Sequence, residues 1–392
     1  MLSIKGTVIY TGKKIINDAF INFNHKEIVN VSNTSQGEIL GEYPVITPAF
    51  IDPHCHIGMC RAGEPSSEEE TNEKMDNFLA LANALDSVQM DDVSFQDSIE
   101  AGILYSCALP GSGNTLGGGS AVIRNYGNTT SDALIEEAPL SIKVALGYNP
   151  MSTREWKGKR PYTRMGALAL FREKLYAVIK KMEKLAKDAE NKEVDFTRED
   201  EILRDILQGR IVLRVHVHKI DDIESFLRFV DEFRAVHTDY AIKFTIDHAC
   251  DVHKADVFIK LKERNISVIY GPMDSLAYKV ELKHENWKNV RYLLESNVSF
   301  GLMSDHPVLL QRMLLLQLRW FIRYGLSKQQ AIEIITARNA KILGIDAILG
   351  TLEPNKWASF VCWNGDPFDM TSYPVTVYGE GRLLHSLPEL TQ

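Results

Sequence analysis

The sequence predicts an α/β fold with a parallel sheet at its centre and a small β-rich satellite built from its two ends. Three observations carry that prediction. From about residue 45 to 347, short apolar runs at 45–51, 142–146, 211–217, 242–246, 266–270 and 298–303 alternate with helical patterns. Such alternation implies a parallel core, either doubly wound or a (β/α)8 barrel. Residues 1–49 instead carry β-rich runs at 6–10 and 19–23 between polar turns, and residues 348–392 repeat that texture at 358–363 and 374–378. Finally, several of the central runs end in histidine or aspartate, at the strand ends where barrel enzymes place their chemistry.

Taken in order, the N-terminal runs read as a small sheet, and the turn formers Pro354-Asn355 and Gly365-Asp366-Pro367 punctuate the matching C-terminal one. The clearest helix spans about 164–189, where Leu168, Phe171, Leu175, Val178, Ile179 and Met182 recur at three- and four-residue steps among Lys and Glu. The strongly charged stretch at 186–205 reads as an exposed connection or helix end. No repeat of fixed period is present.

Composition narrows the function classes. The 392 residues hold 44 Lys and Arg against 52 Asp and Glu, a net charge of −8, so no basic field exists to grip nucleic acid. The five cysteines, Cys55, Cys60, Cys107, Cys250 and Cys362, include no C-x-x-C pair. They point to a reducing, cytoplasmic setting rather than a disulfide framework. The N-terminus lacks the signal-peptide pattern, and the richest apolar run, at 309–318, is broken by Gln311, Arg312 and Gln317, so no membrane span is expected. A small-molecule substrate is the expected partner.

The chemistry begins at P-A-F-I-D-P-H-C-H, residues 48–56. Alternation on a strand turns His54 and His56 to one face, where two imidazoles can share a metal ion. A second pair, His216 and His218, ends the run at 211–217; His248 ends the next, and Asp305 with His306 the last. Imidazoles plus a carboxylate suit a divalent ion, with zinc expected and iron or manganese as alternatives. Asp305 is the candidate proton shuttle. The glycines of P-G-S-G-N-T-L-G-G-G-S at 110–120 fail the dinucleotide spacing, and no G-x-x-x-x-G-K is present.

Together P-A-F-I-D-P-H-C-H at 48–56, V-H-V-H at 215–218, D-H at 247–248, S-D-H-P at 304–307 and the tail from A-R-N-A-K at 337 make the chain resemble the amidohydrolase superfamily of metal-dependent hydrolases. The resemblance covers essentially the whole chain and extends to the branch related to imidazolonepropionase and the prolidase-like enzymes. It implies a (β/α)8 TIM barrel over 50–347, with a small composite β-sandwich domain from 1–49 plus 348–392. Its implied metal ligands are His54, His56, His216, His248 and Asp305, with His218 polarising the substrate.

Binuclear relatives need a bridging carboxylate or carboxylated lysine from strand 3 or 4. The corresponding region here contains Lys143, read as an ordinary core-edge or surface lysine, and Tyr148 where related sequences carry Glu in G-E-N-P. One divalent ion is therefore expected. The glycine-rich loop resembles a substrate-binding loop, with Asn114 its candidate contact. Arg61, Glu64, Arg160 and Arg164 fall on predicted loops after strands 1 and 4, where Arg61 or Arg164 could grip a substrate carboxylate; Tyr148 is a further candidate contact.

The expected reaction is hydrolysis of a C–N bond in a cyclic or linear amide, with a heterocycle aminohydrolase as the alternative and a catalytically silent scaffold a distant third. The resemblance is also compatible with a homo-oligomer.

Overall fold

The computed structural model describes residues 1–187 and 194–387. Part of the charged stretch at 186–205 and the last five residues of the C-terminal segment lie outside the described residues.

The N-terminal segment forms β1 (Leu2–Tyr10), β2 (Ile15–Asn24), β3 (Glu27–Ser32) and β4 (Glu38–Pro48). The central part supplies β5 (Phe50–Cys55), β6 (Ile103–Ala108), β7 (Leu116–Gly119), β8 (Ala121–Arg124), β9 (Ser141–Ala145), β10 (Val212–Val217), β11 (Lys243–His248), β12 (Val268–Tyr270) and β13 (Phe300–Leu302). The C-terminal segment adds β14 (Phe360–Trp363), β15 (Pro374–Gly379) and β16 (Arg382–Ser386).

The two ends of the chain do pair, but edge to edge. One seven-stranded sheet runs β16-β15-β14-β4-β1-β2-β3, where a sandwich of facing sheets was expected. The reason is β4, which pairs parallel with β1 on one side and antiparallel with β14 on the other. Alternate residues Ile4, Ala19, Ile21, Phe23 and Phe360 are buried in a common core, with Phe23 edge-on to Phe360 at 5.5 Å.

The apolar run at 45–51 is not one strand. Pro48 has no amide hydrogen, and the backbone changes partners just beyond it: the Ala49 amide donates to the Ser359 carbonyl, the Phe50 amide to Gly102. The chain thus leaves the terminal sheet and enters the central one.

The central strands form a six-stranded sheet, β13-β12-β11-β10-β9-β7, and a three-stranded one, β5-β6-β8. β9 to β13 are mutually parallel, and nearly every residue in them is buried, as helix-covered strands require. The helix at Arg164–Lys187 buries Leu168, Phe171, Leu175, Val178 and Ile179. The one at Ile220–Val236 buries Ile223, Phe226, Val230 and Phe233, and Phe171 meets Phe229 edge-on at 5.8 Å.

Among the described residues no continuous hydrogen-bond ladder closes these sheets into one barrel. β13 and β5 nevertheless meet at their C-terminal ends, where the Asp305 amide donates to the His54 carbonyl (3.1 Å) and the His56 amide to the His306 carbonyl (2.8 Å). Buried Asn339 ties the same edges lower down, its amide donating to the carbonyls of Ile51 (2.7 Å) and Leu302 (2.9 Å) while its oxygen accepts from the Leu302 amide (3.1 Å). A Cβ at Gly301 would fall 2.0 Å from that oxygen, so only glycine fits. Asn339→Ala should cost about 3 kcal/mol or more, since each of the three buried backbone groups left without this partner costs about 1–3 kcal/mol. Urea unfolding checks this, and unchanged stability would remove the bridge from the fold's supports.

Candidate metal centre

The strand ends converge. His54 and His56 leave β5, His216 and His218 end β10, His248 ends β11, and Asp305 follows β13; all six are 9% exposed or less. Two three-residue donor groups result, His54/His56/Asp305 and His216/His218/His248, each with its ligand atoms within 4.8 Å of one another. They abut: the His54 and His248 rings are 4.9 Å apart, and Asp305 Oδ2 lies 4.0 Å from His248 Nδ1. His248 (φ +82°) and Asp305 (φ +53°) both hold left-handed backbone, a strain that persists where the surroundings over-determine it.

Hydrogen bonds orient the rings. His54 Nδ1 donates to Asp247 Oδ2 (2.7 Å), His56 Nδ1 to the Leu109 carbonyl (2.7 Å) and His248 Nδ1 to the Gly271 carbonyl (2.9 Å). Each therefore presents Nε2 as a lone pair, that of His54 facing Lys143 Nζ at 2.8 Å. Burial pushes His54 down to about 3, with the positive Lys143 acting the same way, so its imidazole is neutral. Burial likewise holds His216, His218 and His248 well below the usual imidazole range. Burial alone would raise the Asp305 carboxyl, but His56 and the positive Lys143 beside it outweigh that and keep it ionised.

Three buried nitrogens, His248 Nε2 and both of His218, have no hydrogen-bond partner among the described residues. Leaving buried polar atoms bare is costly. Neutral imidazole lone pairs turned toward one another beside a carboxylate are the donor set a divalent ion satisfies, so the residues fit a metal.

Lys143 corrects the sequence reading. It is neither at a core edge nor on the surface: it is fully buried in β9, with Nζ 2.8 Å from His54 Nε2. Burial lowers its ammonium to about 8, partly offset by Asp305 and Asp247. The five ligands implied for a single ion divide between the two donor groups, His54, His56 and Asp305 in one and His216 and His248 in the other.

The candidate substrate contacts are scattered. Arg61 pairs with Glu64 (2.8 Å) on the loop after β5. Asn114 donates to the Glu73 carbonyl (3.0 Å) and accepts from Arg160, bracing the glycine-rich loop. The Tyr148 side chain is partly exposed, while its backbone amide donates to Glu281 Oε2 (3.0 Å). Arg164 pairs with Asp222 (2.6 Å) and lines a cavity of about 520 Å³ with Arg172 and Arg228. Gly147 lines the same cavity, and a Cβ there would sit 3.0 Å from Glu281 Oε2 and 3.1 Å from Asp222 Oδ2.

Sequence reasoning missed Glu281 and Lys279. Glu281 is 1% exposed and reaches His216 Nε2 at 3.2 Å, with Lys279 Nζ 2.8 Å from the same oxygen. Together with Tyr278 and Leu282 their segment covers the centre, and the cavity left beside His218 and Asp305 is about 10 Å³, room for at most one water.

A model of the amidohydrolase family matches residues 45–384. The chain belongs to the amidohydrolase family. Among solved structures, an amidohydrolase from Thermotoga maritima MSB8 superposes with a TM-score of 0.89 at 26% identity, over 99% of this chain and all of that one. A Xaa-Pro dipeptidase with bound methionine (TM-score 0.57, 13% identity, 98% of this chain and 100% of that one) and Escherichia coli guanine deaminase (0.51, 13%, 98% and 100%) share the fold. Amidohydrolase TasK of Hapsidospora irregularis is 24% identical over 362 residues, 86% of this chain but 36% of its own length, so this amidohydrolase spans about a third of that relative. These likenesses do not single out the imidazolonepropionase-related branch. Membership supports a hydrolase, and the histidine and aspartate groups are where it could hold a metal ion. No helix of the described residues is long and apolar enough to cross a membrane.

Proposed function

We propose that this amidohydrolase is a metal-dependent hydrolase of a C–N bond in a cyclic or linear amide. The observation that carries the reading is the convergence of His54, His56, His216, His248 and Asp305, with orphaned imidazole nitrogens, at one set of strand ends. The two central sheets are read as the two parts of a (β/α)8 barrel over 50–347, with 1–49 and 348–392 as a composite β domain; the 0.89 likeness supports that reading.

His54, His56 and Asp305 would hold one ion and His216, His218 and His248 a second, with Lys143 between them as the candidate carboxylated bridge. A bound divalent ion supplies a Lewis acid and brings the pKa of a coordinated water to about 7. Asp305 would accept a proton from the attacking water and return it to the leaving nitrogen. Lys279, held by Glu281 at the cover of the centre, would meet developing negative charge on the substrate oxygen. Asp247 keeps His54 in the tautomer that presents Nε2. Of the four candidate substrate contacts, Arg164 is the one beside a cavity adjoining the centre.

Elemental analysis of protein purified without chelator is the test. Two equivalents of zinc, iron or manganese are expected in wild type, with the His54/His56 ion absent from His54→Ala/His56→Ala and one equivalent lost in Lys143→Ala. A metal-free wild type that folds normally would overturn the reading and favour a scaffold. In the metal-loaded protein, ammonia release from a heterocycle panel with no amide cleavage would replace amide hydrolysis by deamination.

A further inference from the structure

Beyond the centre, the loop after β11 and the segment that covers the site approach each other through three further metal-capable side chains. Asp251, His253 and His284 bring their ligand atoms within 4.8 Å of one another. The Asp251 carboxylate is buried and accepts from the His284 backbone amide, with its second oxygen 3.3 Å from His284 Nδ1. His253 Nδ1 donates to the Asp251 carbonyl at 2.9 Å, which fixes its tautomer and leaves Nε2 as a lone pair. The two imidazole rings lie 4.5 Å apart.

The backbone frame is held twice over: Asp251 accepts from the His284 amide, and Asn289 donates to the carbonyls of Cys250 (3.2 Å) and His284 (2.8 Å). Two imidazoles and one carboxylate on a fixed frame, with His284 about half exposed to solvent, form a donor set open on one side. Nitrogen-rich ligation of this kind suits first-row divalent ions such as zinc, cobalt or nickel over calcium or magnesium, which want oxygen. Small side-chain rotations bring the three to bonding distances of roughly 2.0–2.2 Å.

We propose that Asp251, His253 and His284 form an outer, exchangeable site for a first-row divalent cation, separate from the centre, that pins the covering segment. The consequence follows from the chain path. His284 is three residues beyond Glu281 and five beyond Lys279, whose side chains reach into the centre. An ion joining His284 to Asp251 and His253 fastens the cover to the loop that leaves β11 just after His248. The free space beside His218 and Asp305 is small, so movement of the cover widens access to the centre. Occupancy of the outer site therefore restrains opening.

The test uses the whole protein with its centre already loaded, dialysed to equilibrium against buffered free zinc and, separately, magnesium. Wild type is expected to take up one zinc equivalent more than His253→Ala/His284→Ala, and no additional magnesium. Hydrogen exchange at amides 279–285 is expected to slow on adding zinc in wild type and to stay unchanged in the variant. His284→Ala alone, altering a half-exposed ring, provides the same comparison if the double variant folds poorly. Equal zinc uptake by wild type and variants would overturn the site. A lost equivalent with no zinc-dependent change in exchange at 279–285 would overturn the pinning.

Discussion

Asp305→Asn should lower kcat by about 10²–10⁴-fold, the usual contribution of a positioned general acid or base, while the protein keeps its fold. The substitution preserves shape and one oxygen donor but removes the charge that can accept a proton. Asp305 lies 3.3 Å from His56 Nε2 and 3.6 Å from His54 Nε2, so it belongs both to a donor group and to the path a proton would take. Measuring metal content and kcat on the same preparation separates the two roles. Retained metal with a large fall in kcat assigns the proton transfer to Asp305. A metal-loaded variant with unchanged kcat would take Asp305 out of the proton path and leave it a ligand only.

What the sequence made legible here is what strand alternation can express. His54 and His56, like His216 and His218, stand two apart at the end of apolar runs, and that spacing alone puts each pair on one face. The helix expected at 164–189 forms over Arg164–Lys187 for the same reason: its periodic apolar stripe meets the sheet. Lys143 carries a signal of its buried position. It sits mid-run in I-K-V, and its register partner Arg214 sits mid-run in L-R-V; a cation inside a buried strand is tolerable only when partnered, so two of them side by side announce an interior polar network. Glu281 carried no such signal. Its neighbours K-V-E-L-K-H-E are polar and aperiodic, and only the tertiary path of the cover buries its carboxylate. The single terminal sheet is not legible in the sequence because β4 pairs with both halves, a choice that burial pattern does not encode.

Asp247→Ala should be among the most destabilising single changes in the central sheet. Its carboxylate receives Arg214 Nη2 at 2.7 Å and Nε at 3.1 Å, the Thr245 hydroxyl at 2.6 Å and His54 Nδ1 at 2.7 Å, and the ion pair is inaccessible to solvent. Truncation strands a buried guanidinium, which costs about 3–5 kcal/mol, and a fall in Tm of about 4–6 °C follows for a chain of this size. Replacing both partners by apolar residues, Arg214→Met with Asp247→Leu, removes the stranded charge and should restore most of the lost stability. The same double variant still leaves His54 Nδ1 without its acceptor, so the ring is no longer held in the tautomer that presents Nε2. Metal affinity or activity should then remain about 10–100-fold below wild type, as for other lost partners of ligating histidines. Thermal unfolding and zinc competition on the three proteins distinguish the cases. Recovery of both stability and metal affinity in the double variant would show that the pair serves the fold alone.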